Sequence, residues 1–227
     1  MSENNRERHP WWKDWYPSFL PDFSTVEVGK SPYGEPNPET LKLFTKLPER
    51  SAILDVGGGD GRYALPLAQM GYHVTVLDVD TAHLNRLHTN AETVLPGTAG
   101  KIEPILADAT EVFPFQRQFD GVLNAGFGYL LPPDQLDMLF ARMAKNLKSG
   151  GLFVFEFATN RKRHDSDGKS LLGKHEYVYT YEEGIRALQV LYAKYGLRLL
   201  SPQIKKIHFE TPYHLRTDLI IAHGIKQ

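Results

Sequence analysis

The stretch Ile53-Leu54-Asp55-Val56-Gly57-Gly58-Gly59-Asp60-Gly61-Arg62 constrains this chain most. The apolar run Ala52 to Val56 predicts a buried strand. It breaks into three glycines, and a helical pattern follows from Arg62 to Met70. Strand, glycine loop and helix in that order are the layout of a nucleotide site. Glycines let the backbone turn sharply and approach a ligand with no Cβ in the way. The next helix then points its unpaired N–H groups at that ligand. Pro66 conflicts with a full helix over 62–70, so a kink or a late start is expected.

The glycine spacing narrows the ligand. The dinucleotide pattern G-x-G-x-x-G fails, because Arg62 and Ala64 stand where its third glycine is needed. The pattern acidic-x-G-x-G-x-G is met by Asp55, Gly57, Gly59 and Gly61. On these residues the chain resembles the class I S-adenosylmethionine-dependent methyltransferases, small-molecule type. The resemblance runs over roughly residues 38–227. It implies an α/β, doubly wound Rossmann-like fold: a seven-stranded sheet of order 3-2-1-4-5-7-6 with its last strand antiparallel. The cofactor it implies is S-adenosyl-L-methionine.

The residues after the loop fall at compatible intervals. His73 to Asp78 reads as a second strand closing on an acid, 23 residues after Asp55. That is near the interval at which a carboxylate meets ribose hydroxyls. Asp80 competes for the role, or caps the following helix. A third strand, Lys101 to Leu106, contains Pro104 and so fits only a sheet edge. It leads into Asp108 and Ala109. The resemblance gives Asp108 the adenine amino group and Ala109 a backbone contact to the ring. A fourth strand, Phe119 to Asn124, precedes Ala125-Gly126-Phe127-Gly128-Tyr129. In a doubly wound sheet the ligand crevice opens where strand order reverses. Cofactor contacts are therefore expected at Asp55, Gly57, Gly58, Gly59, Asp78 and Val79, and at Asp108, Ala109 and Asn124. Tyr129 is the first candidate for contact with the acceptor. The Pro-Pro pair that would mark a flipped-base site is absent after Asn124.

The rest of the chain frames this core. All three tryptophans lie within the aromatic run Trp11 to Phe23, which reads as a flap or a lid. The division expected is residues 1–37 as that N-terminal flap and 38–227 as the methyltransferase domain. The turn-rich segment around Tyr33 precedes a helix from Pro38 with Asn37 as its cap. A fifth strand spans Gly151 to Phe157, with Glu156 as its polar outlier. Residues 158–179 read as an irregular loop carrying Arg161-Lys162-Arg163. That run is either a solvated loop or an arginine clamp for an anionic group. Two further strands, Leu197 to Phe209 and Leu215 to Gly224, close the sheet, with His214 in their turn. Trp15, Tyr16, Tyr33, Phe127, Arg161, Arg163 and His214 are thus the substrate-side candidates.

Composition bounds the alternatives. The chain has 227 residues, a formal net charge of −1 and no cysteine. That excludes disulfides, thiolate metal sites and cysteine nucleophiles. Near-neutral charge argues against broad nucleic-acid binding. No apolar run reaches about 18 residues, so no membrane span is expected. The histidines show no ligand-like spacing, and no metal is expected. The function expected is methyl transfer to a small-molecule acceptor by in-line displacement, by a cytoplasmic monomer or homodimer. The alternatives are an RNA methyltransferase using the basic 161–163 loop, a nicotinamide-binding oxidoreductase, and a non-catalytic cofactor-binding subunit.

Overall fold

The computed structural model describes residues 23–94, 97, 101–164, 167–170, 172, 176–200, 205–210 and 215–227, with side chains left out at 205–210 and 215. The candidates Trp15, Tyr16 and His214 lie outside the described residues. Five strands run parallel: β1 (Ala52–Val56), β2 (His73–Asp78), β3 (Ile102–Leu106), β4 (Phe119–Asn124) and β5 (Leu147–Arg163). Three more complete the sheet: β6 (Leu197–Leu199), β7 (Lys205–Glu210) and β8 (Leu215–Lys226). The order is β3-β2-β1-β4-β5-β8-β6, and β7 also pairs with β8.

This is the expected seven-strand path, with its outer strand in two segments. Both β6 and β7 run antiparallel to β8 on the same edge. Between the pairs Leu199↔Gly224 and Lys205↔Ile221 the outer chain advances six residues while β8 advances three. The two segments are therefore out of continuous register along β8. Pro104 sits where its chemistry requires, on β3, which pairs only with β2.

β5 departs from expectation and continues past Phe157 to Arg163. The long β8 supplies the reason, because its antiparallel ladder extends to Thr159↔Asp218, Lys162↔Arg216 and Arg163↔Leu215. A register shift lies between Thr159 and Lys162, where Asn160 takes a positive φ of 51°. Asparagine tolerates that backbone better than most residues. The basic run Arg161-Lys162-Arg163 is therefore a strand and not a loop.

Helices cover both faces. On one side lie α1 (Pro38–Phe44), α2 (Ala64–Gln69) and α3 (Thr81–Val94). Ile53, Val74, Val76, Leu123 and Val154 pack there against Phe44, Leu67 and Leu87. On the other side lie α4 (Pro133–Lys145) and α5 (Tyr181–Lys194), over Phe153, Phe155 and Phe157. Alternation along β5 sends its phenylalanines to one face and Leu152 and Val154 to the other. The Phe140 ring stacks on Phe155 at 4.7 Å, and buried Tyr192 donates its hydroxyl to the Ala222 carbonyl at 2.9 Å.

Local chemistry sets the helix ends. Asn37 caps α1 by accepting the Glu39 N–H at 3.0 Å. Thr180 and Glu183 form a reciprocal capping box on α5. α2 starts late, at Ala64, which puts Pro66 in its first turn. A missing N–H matters little there, because the first-turn amides have no helical partner.

The segment 23–37 is tied back onto α3 and the glycine loop. Arg86 donates to the carbonyls of Val26 and Glu27, and Gly29 N–H donates to Asn90 Oδ1 at 2.9 Å. Ser31 donates its hydroxyl to Asp60 at 3.0 Å, and Asn37 N–H donates to the Tyr63 hydroxyl at 2.8 Å. These contacts make a strap across the C-terminal end of the sheet.

Candidate functional site

The strap, the glycine loop and the ends of β1, β2 and β4 are joined at one end of the sheet by hydrogen bonds. Gly57 N–H returns to the Leu77 carbonyl at 2.7 Å, which holds the start of the loop against β2. Gly57 has φ +70°, and a Cβ there would lie 2.3 Å from the Phe127 ring. Gly126 is equally confined, since its Cβ would stand 2.7 Å from the Gly57 carbonyl oxygen. Gly59 differs: its φ is +57°, and no atom of the described residues lies within 4 Å of where a Cβ would be. The loop is thus packed at its base and open at Gly59.

Asp78 holds that open part. Its Oδ2 accepts the Gly59 N–H at 2.9 Å, and its Oδ1 accepts the Asp80 N–H at 2.9 Å. Oδ1 also faces His83 Nδ1 at 3.6 Å, and Oδ2 keeps a second lone-pair direction for a ligand. Asp80 instead caps α3, accepting the Ala82 N–H at 2.8 Å. Val79 lies half-buried between them. Asp108 accepts both the N–H and the hydroxyl of Thr110, at 2.8 and 2.6 Å, so its carboxylate is fixed in a turn after β3. The carbonyl of buried Ala109 accepts from Arg142 at 3.1 Å.

Asp55 lies wholly inside. Among the described residues its Oδ2 has no hydrogen-bond partner. Burial raises its pKa to about 7; Arg62 opposes the rise, and Asp78, Glu156 and Asp60 add to it. Asn124 is a buried brace. Its amide N–H donates to the Val56 carbonyl at 2.8 Å, and its oxygen accepts the Gly128 N–H at 3.2 Å. The end of β1 and the turn after β4 are thereby locked together, which places Phe127 beside Gly57.

On the far side of the crevice, Tyr129 sits in the short 3-10 turn Gly128–Leu130. The Arg161 guanidinium lies over its ring, 5.2 Å from the centroid. Burial holds the Tyr129 hydroxyl above its ordinary pKa, against the pull of Arg161 and Arg62. Arg161 is itself buried, 2.9 Å from the Glu176 carboxylate, and donates to the Tyr177 carbonyl at 3.1 Å. Arg163 is buried as well. Two candidates far apart in sequence, Tyr129 and Arg161, are therefore in contact, whereas Arg163 has no contact with Tyr129 among those described.

The sequence reading gave Arg62 and His83 no role at the site, and placed Glu156 either at the crevice rim or buried in a pair. Arg62 donates to the carbonyls of Tyr33 and Ala125, joining the strap to the turn after β4. Glu156 Oε1 accepts the hydroxyls of Thr40 and Tyr63, each at 2.5 Å. Burial raises the Glu156 pKa despite Arg62 and these two donors. His83 meets the Tyr33 hydroxyl at 2.8 Å. The available signal was an acid in an otherwise apolar strand at Glu156, and the arginine closing the glycine motif at Arg62.

Comparison with known proteins agrees with this architecture. A family model described as a methyltransferase domain matches residues 53–151. YqeM of Bacillus subtilis (strain 168), whose name carries an inferred methyltransferase activity, is 27% identical over 125 residues. That match covers 54% of this chain and 49% of YqeM, so the chain spans about half the length of the curated relative it matches. A Methanosarcina mazei S-adenosylmethionine-dependent methyltransferase superposes with a TM-score of 0.68 at 19% identity, over 85% of this chain and 98% of that one. The glycopeptide N-methyltransferase MtfA, solved with S-adenosylmethionine, gives a TM-score of 0.62 at 15% identity, over 83% and 93%. The magnesium protoporphyrin IX methyltransferase ChlM of Synechocystis PCC 6803 gives 0.60 at 15%, over 83% and 76%. The fold is the one these S-adenosylmethionine-dependent methyltransferases share, and residues 53–151 match a methyltransferase domain. Among the described residues no helix is long and apolar enough to cross a membrane, and no three His, Asp or Glu residues group as metal ligands.

Proposed function

We propose that this protein transfers the methyl group of S-adenosylmethionine to a small-molecule acceptor in the crevice outside the ends of β1 and β4. The observation that carries the reading is the clasp of Asp78 on Gly59, a glycine with φ +57° and, among the described residues, open space where a Cβ would be. The residues present fit the cofactor. Asp78 would receive the ribose hydroxyls, Asp108 and the Ala109 backbone the adenine, and the side-chain-free backbone at Gly58 and Gly59 would let the rest of the cofactor approach closely. When bound, the cofactor supplies a methyl group already activated on a sulfonium.

The chain's own work is positioning. Reacting atoms must be held in line at about 3–3.5 Å, and that alone removes much of the barrier. Asn124 fixes the turn that carries Phe127 and Tyr129, and Arg62 ties that turn to Tyr33 of the strap. Tyr129 keeps its proton, which suits it to donate a hydrogen bond to the acceptor and unsuits it as a base. A small acceptor is supported by the aromatic residues Phe127 and Tyr129 in the turn after β4 and by neighbours named for a glycopeptide and a porphyrin. The burial of Arg161 and Arg163 weighs against an RNA reading, which needs exposed cations along the backbone path.

The test is calorimetric titration with S-adenosylmethionine, S-adenosylhomocysteine, NADH and NADPH, followed by a screen of small acceptors for methyl transfer. Binding of the two sulfur compounds alone is the expected result. Binding of a nicotinamide instead would overturn the reading, and tight cofactor binding with no transfer to any acceptor would favour a non-catalytic subunit.

A further inference from the structure

His83, in the first turn of α3, stands between the strap and the acid that closes β2. Its Nε2 is 2.8 Å from the Tyr33 hydroxyl. On the other side of the ring, Nδ1 is 3.6 Å from Asp78 Oδ1 and 3.9 Å from Asp80 Oδ2. The rings of Phe23 and Tyr33, both from the strap, pack edge-on against it at 5.5 and 5.7 Å. One imidazole therefore touches the segment that covers the crevice and the carboxylate that clasps Gly59.

We infer that His83 is a positioning residue that couples closure of the strap to occupancy of the cofactor cradle, and that the coupling is strongest with the imidazole protonated. The inference rests on the reading of Asp78 as the cofactor's ribose acid. Its physical basis is the donor count of the ring. A cationic imidazole donates from both nitrogens, so it satisfies the Tyr33 oxygen and attracts Asp78 at the same time. A neutral ring has one N–H. If that proton sits on Nε2, the Nδ1 lone pair confronts the carboxylate. If it sits on Nδ1, Tyr33 must turn its own hydrogen toward the ring, and the charge attraction to Asp78 is gone.

The charged and titratable groups around the ring favour the cation. Tyr33 faces it from the strap, Asp78 and Asp80 from the end of β2, and Asp60 from the glycine loop. Arg86, one turn along α3, reaches the Phe23 ring, with its guanidinium carbon 5.8 Å from the centroid. Burial disfavours charge on His83, but Asp78, then Asp80 and Asp60, outweigh it and raise the pKa. The strap has other ties, Ser31 to Asp60 and Arg62 to the Tyr33 carbonyl, so loss of the His83 link loosens it without releasing it.

The experiment measures S-adenosylhomocysteine affinity by calorimetry from about pH 6 to about pH 9 for wild type, His83→Gln and Tyr33→Phe. It is paired with amide hydrogen exchange over residues 23–37, with and without that compound. Asp55 titrates in the same range, so the readout is the difference between wild type and variant. Wild type is expected to bind about three- to tenfold more tightly than His83→Gln at the acid end, with the gap closing as pH rises, the size of one partly buried charge contact. The compound should slow exchange in the strap of wild type and much less in either variant. Tyr33→Phe should keep most of the pH dependence, because Asp78 still faces the ring. A His83→Gln protein that matches wild type in affinity at every pH, or keeps the ligand-induced protection of the strap, overturns the coupling. A wild type that binds at no pH overturns the cofactor reading itself and the coupling with it, which is a different result from binding without pH-dependent divergence.

Discussion

The Asp78 carboxylate and the Gly59 amide are joined by a 2.9 Å hydrogen bond from the end of β2 to the middle of the glycine loop. The same side chain accepts the Asp80 amide, so one carboxylate shapes both the loop and the entry to α3. Asp78→Ala is expected to weaken S-adenosylhomocysteine binding about ten- to a hundredfold, the scale of a lost charge-assisted hydrogen bond or two. Asp78→Asn should fall between, since it keeps an acceptor oxygen without the charge. Calorimetry checks both, and unchanged affinity in Asp78→Ala would remove Asp78 from the cofactor site.

Two glycines of one loop should respond differently to alanine. At Gly57 the new methyl meets Phe127 at 2.3 Å on a backbone with φ +70°, so Gly57→Ala should cost about 1–3 kcal/mol of stability. At Gly59 only the backbone conformation is strained, by about 1–2 kcal/mol. Because space is open there, Gly59→Ala should lose proportionately more cofactor affinity than stability. Urea unfolding beside ligand titration separates the effects. Equal ratios in the two variants would mean that no ligand lies over Gly59.

Tyr129→Phe removes a hydroxyl that burial keeps protonated. Turnover should fall while S-adenosylhomocysteine affinity stays within about twofold, the change expected when a hydrogen bond used only by the acceptor is lost. The pH–rate profile should keep its shape. Disappearance of a basic limb in the variant would instead identify Tyr129 as a general base.

Arg161→Met removes the cation 2.9 Å from buried Glu176. Breaking a buried pair by deleting one partner costs about 3–5 kcal/mol. Urea unfolding should show a loss of that order. A loss below about 1 kcal/mol would argue that Arg161 is held in reserve for an anionic ligand instead of serving the fold.

Two buried groups give stability opposite slopes with pH. Burial raises Asp55 from its ordinary 3.8 to about 7, so the native chain holds a proton that the unfolded chain releases over that interval. Its contribution is full below about pH 4 and is lost as pH rises toward 7. Burial lowers the pKa of His223, with Lys46 adding to the shift, and both ring nitrogens lack a hydrogen-bond partner among the described residues. The unfolded chain therefore takes up that proton first, and the stability is lost as pH falls below 6.5. Asp55→Asn should flatten the first slope and His223→Leu the second in urea unfolding followed across pH. Profiles that match wild type in both variants would show that neither group changes its affinity for protons on folding.

Much of the core was legible because its signals are local. Asp55, Gly57, Gly59 and Gly61 declare a strand-to-loop break within seven residues, and Pro104 marks an edge strand through its missing donor. Asn37 and Pro66 set helix ends through chemistry read one residue at a time. The run 158–163 misled for the converse reason. Its basic residues look solvated in isolation, and only pairing with β8, more than fifty residues later, makes them a strand.

By itself, then, the chain determined where its backbone must turn and which segments alternate as strand and helix, whereas the strand order came from the family resemblance. The turns and the alternation follow from φ preference, side-chain periodicity and spacing. The tertiary structure alone decided who meets whom in the crevice. Glu156 reaches Thr40 across 116 positions and Tyr63 across 93, and His83 reaches Tyr33 across 50. A hydrogen bond depends on ångström-scale approach of two side chains. No local pattern encodes that approach when the partners are brought together only by the packing of a whole sheet.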